Sequence, residues 1–229
     1  MSISIRDSIR WLPDEPASEP TSTVVLTSPE HRFVDIRILK GINEPDASLD
    51  WAFAGTSSSE TRDGVRHCVW RHAVDSRTRT PEAVVDEGDI FPQDDGRTLE
   101  TGRMVNPATG QMTSYEEVWS DLEAEGIPDE VNQQQRARCV VLELEDEERD
   151  ERGMVVCLGR YCQGVVRTGS RFAAERWLWE DGEWQQKFRI GDLRIPGPSR
   201  IHTDIVSGKE QTGSEDPLLR WKVVEMSYQ

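Results

Sequence analysis

The chain has 229 residues, 35% apolar and 31% charged, and its 43 acidic against 27 basic residues leave a formal charge of −16. That length accommodates one large β domain or two domains of about 100 to 120 residues, and with eight Trp, five Phe and three Tyr to pack, it excludes a globally disordered chain. An acidic field of this strength repels nucleic-acid phosphate and anionic membrane surfaces, leaving a basic protein partner or a small molecule as better fits.

No stretch approaches the roughly 20 apolar residues that span a bilayer, and the opening "MSISIRDSIRWLPDEP" has no apolar signal region. Neither membrane insertion nor secretion is expected. Asn43, Asn106 and Asn132 all lack the hydroxyl residue of a glycosylation acceptor. A cytoplasmic location is expected, with nuclear entry left open. Cys68, Cys139, Cys157 and Cys162 sit in apolar runs without CxxC spacing and read as small hydrophobes of a reducing compartment rather than disulfides or zinc ligands.

The first clear strand is "STVVLTSPEHRFVDIRILKG" (22–41), where Val34, Ile36 and Ile38 point one way and Asp35 and Arg37 the other. "LDWAFAGTS" (49–57) is a second strand with Trp51 and Phe53 on one face and Ala52 and Ala54 on the other, leading into a polar turn. "GVRHCVWRHAVDSR" (64–77) places Cys68, Trp70, His72 and Val74 on one face, with His67, Val69 and Arg71 opposite. The segment 80–110 carries Asp-Gly, Glu-Gly and Asn-Pro signals and reads as short strands joined by turns.

"QMTSYEEVWSDLEAEG" (111–126) fits two periods. Tyr115, Val118, Trp119 and Leu122 have helical spacing behind a Ser114/Glu117 capping box, whereas Tyr115, Glu117 and Trp119 share a face in a strand; the preceding "NPATG" turn favours a strand. Residues 125–138 are polar, contain Pro and read as a linker.

β signals resume in 139–169, where Val140, Leu142 and Leu144 alternate with Glu143 and Glu145, "DEERDERG" forms a solvated turn, and the next strand is apolar on both faces. In "RFAAERWLWEDGEWQQKFRI" (171–190), Asp181-Gly182 between aromatic strands supplies the positive φ angles of a tight hairpin. "LLRWKVVEMSY" supplies a closing strand. Two sets of antiparallel strands avoid exposed edges by closing into barrels or strongly curved sheets, and a small closed barrel is either filled by side chains or holds one small ligand.

No GxGxxG, GxxxxGK[ST], GxSxG or HExxH is present, and neither a cofactor nor a metal is expected. His67 and His72 fall on opposite faces of their strand, while Cys68 and His72 share one, which permits a Cys/His pair. Asp86, Glu87, Asp89, Asp94 and Asp95 read as turn residues more readily than as catalytic pairs. Arg160, in an otherwise apolar run beside Tyr161, either holds a carboxylate ligand, pairs with an interior Glu or reaches the surface. Trp177 and Trp179 share a face, and with Trp184 they read as core first and stacking platforms second.

The blocks "LDWAFAGT" (49–56), "TSYEEVWSDL" (113–122), "CVVLELEDE" (139–147), "GMVVCLGRYCQGVV" (153–166) and "LRWKVVE" (219–225) together resemble the fungal Hri family. The resemblance implies an all-β chain of two consecutive lipocalin-like antiparallel β-barrel domains, set here at 1–130 and 131–229. It also implies a cytoplasmic and nuclear location, contacts with a casein kinase I and a subunit of the protein-translocation apparatus, and no assigned catalytic activity.

Two functions follow. The first is a non-enzymatic interaction protein whose acidic 146–151 loop meets a kinase or trafficking partner. The second is a carrier, isomerase or cyclase for a small hydrophobic ligand, with Trp51, Trp70, Trp119, Arg160 and Tyr161 near the ligand in a cavity of about 300 Å³ or more.

Overall fold

The computed structural model describes residues 1–13, 16–41, 48–128, 137–201 and 220–228. Eight antiparallel strands close a barrel in chain order: β1 (Ser2–Trp11), β2 (Thr21–Thr27), β3 (Arg32–Leu39), β4 (Leu49–Arg62), β5 (Val65–Asp75), β6 (Asp86–Pro92), β7 (Thr98–Val105) and β8 (Met112–Leu122), with β8 paired back onto β1. Segment 112–122 is thus a strand, and Tyr115, Glu117 and Trp119 share its inward face.

Six further strands follow: β9 (Arg138–Asp146), β10 (Glu151–Leu158), β11 (Tyr161–Thr168), β12 (Arg171–Glu180), β13 (Glu183–Ile190) and β14 (Lys222–Tyr228). They form one antiparallel sheet in the order β13-β12-β11-β10-β9-β14. The all-β architecture expected from the sequence holds, with one closed barrel; among the described residues the second set is a sheet with two ends rather than a ring.

The two-faced apolarity of β10 and β11 accounts for that arrangement. One face of the sheet, through Cys139, Val141, Met154, Val156 and Val165, packs on the outside of the barrel against Ile3, Leu26, Val34, Ile36 and Ala54. The opposite face, through Leu142, Val155, Cys157 and Val166, is covered by Ile195, Ile201 and Trp221. A sheet buried on both faces needs no alternation of polar and apolar residues. All four cysteines are free and buried, as small hydrophobes would be.

Several local readings need correction. β4 does not end in a polar turn after Thr56: it continues through Ser57–Arg62, paired with β5, because these polar residues form the solvated end of a long hairpin closed by Asp63-Gly64 at φ 50° and 82°. Asp86, Glu87 and Asp89 are not turn residues but lie within β6, paired with β5. Val74 does not share a face with Cys68, Trp70 and His72. A bulge at Ala73, where Gly55 pairs with His72 and Ala54 with Val74, turns Val74 outward into the core between barrel and sheet. Most of the 125–138 linker, residues 129–136, lies outside the described residues.

A candidate ligand cavity in the barrel

Strand alternation builds the barrel interior. On β3 the apolar set Val34, Ile36 and Ile38 belongs to the core outside the barrel, so Phe33, Asp35 and Arg37 face inward. On β4, Ala52 and Ala54 are the outward residues that let the second sheet approach, while Trp51 and Phe53 turn in. Trp70 and Cys68 of β5, Asp86 and Ile90 of β6, Glu100 and Met104 of β7, and Tyr115, Glu117 and Trp119 of β8 complete the lining.

These side chains leave a cavity of about 380 Å³, within the range that holds a small organic molecule. It opens beside the exposed Met1, His31, Ser58 and Ser59. Its apolar wall is a cluster of Phe33, Trp51 and Phe53, backed by Val25, Trp70 and Met104.

The floor is charged. Arg37 donates through Nε (3.0 Å) and Nη2 (2.9 Å) to Asp35 Oδ2, and through Nη1 to Glu117 Oε1 at 3.3 Å. Behind it Arg6 bonds Glu117, donates through Nε to Glu19 Oε2 at 2.8 Å and through Nη2 to Thr21 Oγ1 at 2.9 Å. Both guanidiniums are therefore held by carboxylates. Asp35 Oδ1 is buried with no hydrogen-bond partner. Burial pushes the Asp35 carboxyl above its ordinary range despite the opposing pull of Arg37.

Glu100 is the second unusual acid. Burial first, then the neighbouring charges of Glu117 and Asp86, push it up to about 8, so it is mostly protonated at neutral pH. Tyr115 donates its hydroxyl to Glu100 Oε1 at 2.7 Å, and burial followed by the Glu100 charge holds the phenol well above its usual range.

His72 stands between two carboxylates. Its Nδ1 lies 2.8 Å from Asp75 Oδ2 and its Nε2 3.0 Å from Asp86 Oδ2, so both nitrogens donate and the ring is an imidazolium, stacked on Phe53 at 4.2 Å. Burial alone would lower the His72 pKa, but the two carboxylates overcome it and raise it. Asp75 also accepts from Trp51 Nε1 at 3.0 Å. His72 is thereby committed to carboxylates, and burial pushes the Cys68 thiol up, away from the thiolate that a Cys/His nucleophile requires. His67, on the outer face, pairs with Asp89 at 2.8 Å; no cluster able to hold a metal occurs among the described residues.

Of the residues singled out for a ligand, Trp51, Trp70 and Trp119 line this one cavity. Arg160 and Tyr161 lie elsewhere: Gly159-Arg160 is the turn between β10 and β11, and Arg160 Nη1 reaches Glu125 Oε2 at 3.0 Å. Trp177 and Trp184 pack against the core of the second sheet, and Trp179 meets Trp184 edge-on at 5.7 Å. Asp35, Arg37, Glu100, Tyr115 and Glu117 were not singled out, although the alternation on β3 and the shared face on β8 mark four of them.

The family model described as Protein HRI1 matches residues 2–225. The chain belongs to the HRI1 family. The crystal structure of an uncharacterized protein from Saccharomyces cerevisiae superposes on this HRI1-family chain with a TM-score of 0.73 at 19% identity, covering 99% of this chain and 98% of the yeast one. That likeness establishes a shared fold. No curated protein sequence matches the chain. No helix among the described residues is long and apolar enough to cross a membrane.

Proposed function

We propose that the chain is a small-molecule-binding protein whose ligand occupies the first barrel. The observation that carries this reading is the 380 Å³ cavity itself, which runs from aromatic walls to converging polar groups on the floor. A barrel built only as a scaffold gains nothing by leaving that volume unfilled, since tightly packed interiors are the more stable solution. The second sheet, filled on both faces, serves as a rigid support for β2, β3 and β4.

Thermal-shift and NMR titration against a mixed panel of amphiphilic small molecules tests this. Ligands are expected that raise the melting temperature and shift resonances of Trp51, Trp70 and Trp119, and the Met104→Trp substitution, which fills the cavity, should abolish the response. A panel without a single responder, or binding that survives Met104→Trp, overturns the reading.

The exposed acidic turn at 147–150 supports a second reading, a surface for a basic protein partner. The family resemblance points there to a casein kinase I or a translocation-apparatus subunit, met in the cytoplasm or nucleus. Pull-down of purified kinase with the wild-type chain, lost on charge reversal at Glu147, Glu148 and Asp150, is the expected result; failure of the wild-type chain to bind ends this reading.

A further inference from the structure

The floor of the barrel holds more carboxylate than it can neutralise. Glu19, Asp35, Asp75, Asp86 and Glu117 converge on it, beside the largely protonated Glu100, against Arg6, Arg37 and the imidazolium of His72. Every one of those three cations is already in contact with carboxylates. The acids are not equally served: Asp35 gives Oδ2 to Arg37 and leaves Oδ1, in a side chain 3% exposed, with no donor at all. A buried acceptor without a donor is destabilising by about 1 to 3 kcal/mol, and an incoming N–H is the group that relieves it.

We propose that the cavity receives an organic amine, with its ammonium head at Asp35 and its apolar body against Phe33, Phe53, Trp70 and Met104. The inference rests on the ligand-binding reading above and adds the ligand's charge. An anion is disfavoured on the floor because Arg37 and Arg6 already sit in carboxylate pairs, and the further lining cation, Arg66, is exposed to solvent rather than buried there. A neutral alcohol supplies a donor to Asp35 but leaves the surplus negative charge uncorrected. An ammonium does both, and aromatic faces favour a cation over a neutral head.

The charge balance gives the proposal a second signature. Glu100 is surrounded by Asp86 of β6, Glu117 and Tyr115 of β8, Arg37 of β3, and Cys68 of β5. An ammonium added to this group favours ionised Glu100, so binding expels a proton, and affinity rises as pH climbs from about 6.5 toward the Glu100 midpoint of about 8.

The test uses the full chain and matched ammonium, alcohol and carboxylate compounds carrying phenylethyl, indolylethyl or hexyl bodies, measured by isothermal titration calorimetry. The ammonium member of at least one series is expected to bind tenfold or more tighter than its alcohol, with the carboxylate weakest, and Asp35→Asn should erase that preference. Should Asp35→Asn fail to fold, the wild-type pH series decides. Ammonium affinity must rise at least threefold between pH 6.5 and 8.5, alcohol affinity must stay level, and Glu100→Gln must flatten the ammonium profile. Binding of alcohols or carboxylates at least as tight as ammoniums, lost in Met104→Trp, keeps the cavity reading and overturns the amine. Absence of binding in every series overturns both.

Discussion

His72 Nδ1 donates to Asp75 Oδ2 at 2.8 Å, although three positions along a regular strand put two side chains on opposite faces. The bulge at Ala73 restores them to the same side, and it exists because Gly55 on the paired strand has no side chain: a Cβ there would lie 1.9 Å from the Arg71 carbonyl oxygen. Gly55→Ala must therefore shift backbone, and a loss of about 3 kcal/mol is expected by urea unfolding. Ser57→Ala, two residues along the same strand, should change stability by less than about 0.5 kcal/mol. Equal losses at the two positions would show that the bulge does not need the glycine.

The same pair sets a pH dependence. The His72 pKa is raised in the folded chain, so its contribution to stability is complete below the unfolded value of about 6.5 and is lost as pH rises through the folded one. Asp75, where burial is outweighed by the bonds from His72, the Arg77 amide and Trp51, has a lowered pKa, and its contribution disappears as pH falls below about 4. The stability difference between wild type and His72→Gln should be about 2 kcal/mol at pH 5.5 and shrink steadily above pH 6.5. Chemical denaturation at pH 5.5, 7 and 8.5 measures it, and a difference that grows with pH contradicts the imidazolium assignment.

The bulge also marks where the sequence stops being legible. Alternation located β3, β4 and β8 and grouped Tyr115 with Glu117 and Trp119, because a period of two is a local property. The positive φ angles of the β12–β13 turn, 52° at Asp181 and 83° at Gly182, were equally readable in the Asp-Gly pair. Which face of β3 points inward was not. Val34 and Ile36 would normally be assigned to a barrel interior, yet they face the second sheet and leave Asp35 and Arg37 inside. Only the pairing of two sheets, a long-range fact, decides that inversion. The placement of Arg160 was hidden for a local reason: Gly159 at φ 54° makes a two-residue turn in what reads as one continuous apolar strand.

Barrel and sheet are joined by a buried polar latch whose behaviour under mutation is specific. Arg176 donates through Nε to Gln163 Oε1 at 2.7 Å and through Nη2 to the Ile36 carbonyl at 2.6 Å, while Gln163 Nε2 donates to the carbonyls of Val24 (3.0 Å) and Val34 (3.1 Å). Burial lowers the Arg176 pKa to about 10, as no carboxylate among the described residues bonds it directly. Arg176→Met and Gln163→Leu should each destabilise by about 2 kcal/mol, since each strands the other partner. The double variant should lose well under the sum, by at least about 1 kcal/mol, because it removes donor and acceptor together. Strict additivity in a double-mutant cycle rules out the latch.

Tyr115 reaches Glu100 only because Gly102, its cross-strand partner on β7, leaves room: a Cβ at Gly102 would lie 2.5 Å from the Tyr115 hydroxyl and 2.7 Å from Cζ. Gly102→Ala should tilt the ring and break the 2.7 Å bond to Glu100, with a stability loss of about 1 to 3 kcal/mol from overpacking. The direction of the electrostatic effect is fixed. Burial, Glu117 and Asp86 hold Glu100 at about 8, while the Tyr115 hydroxyl and Arg37 pull it down, so losing the hydroxyl moves the midpoint further up. Carboxyl-carbon NMR titration of Glu100 should show that rise in Gly102→Ala and again in Tyr115→Phe, which removes the hydroxyl without crowding the strand. A rise in the first variant alone would assign the effect to crowding, and a fall in Tyr115→Phe would mean that the hydroxyl does not stabilise the Glu100 carboxylate.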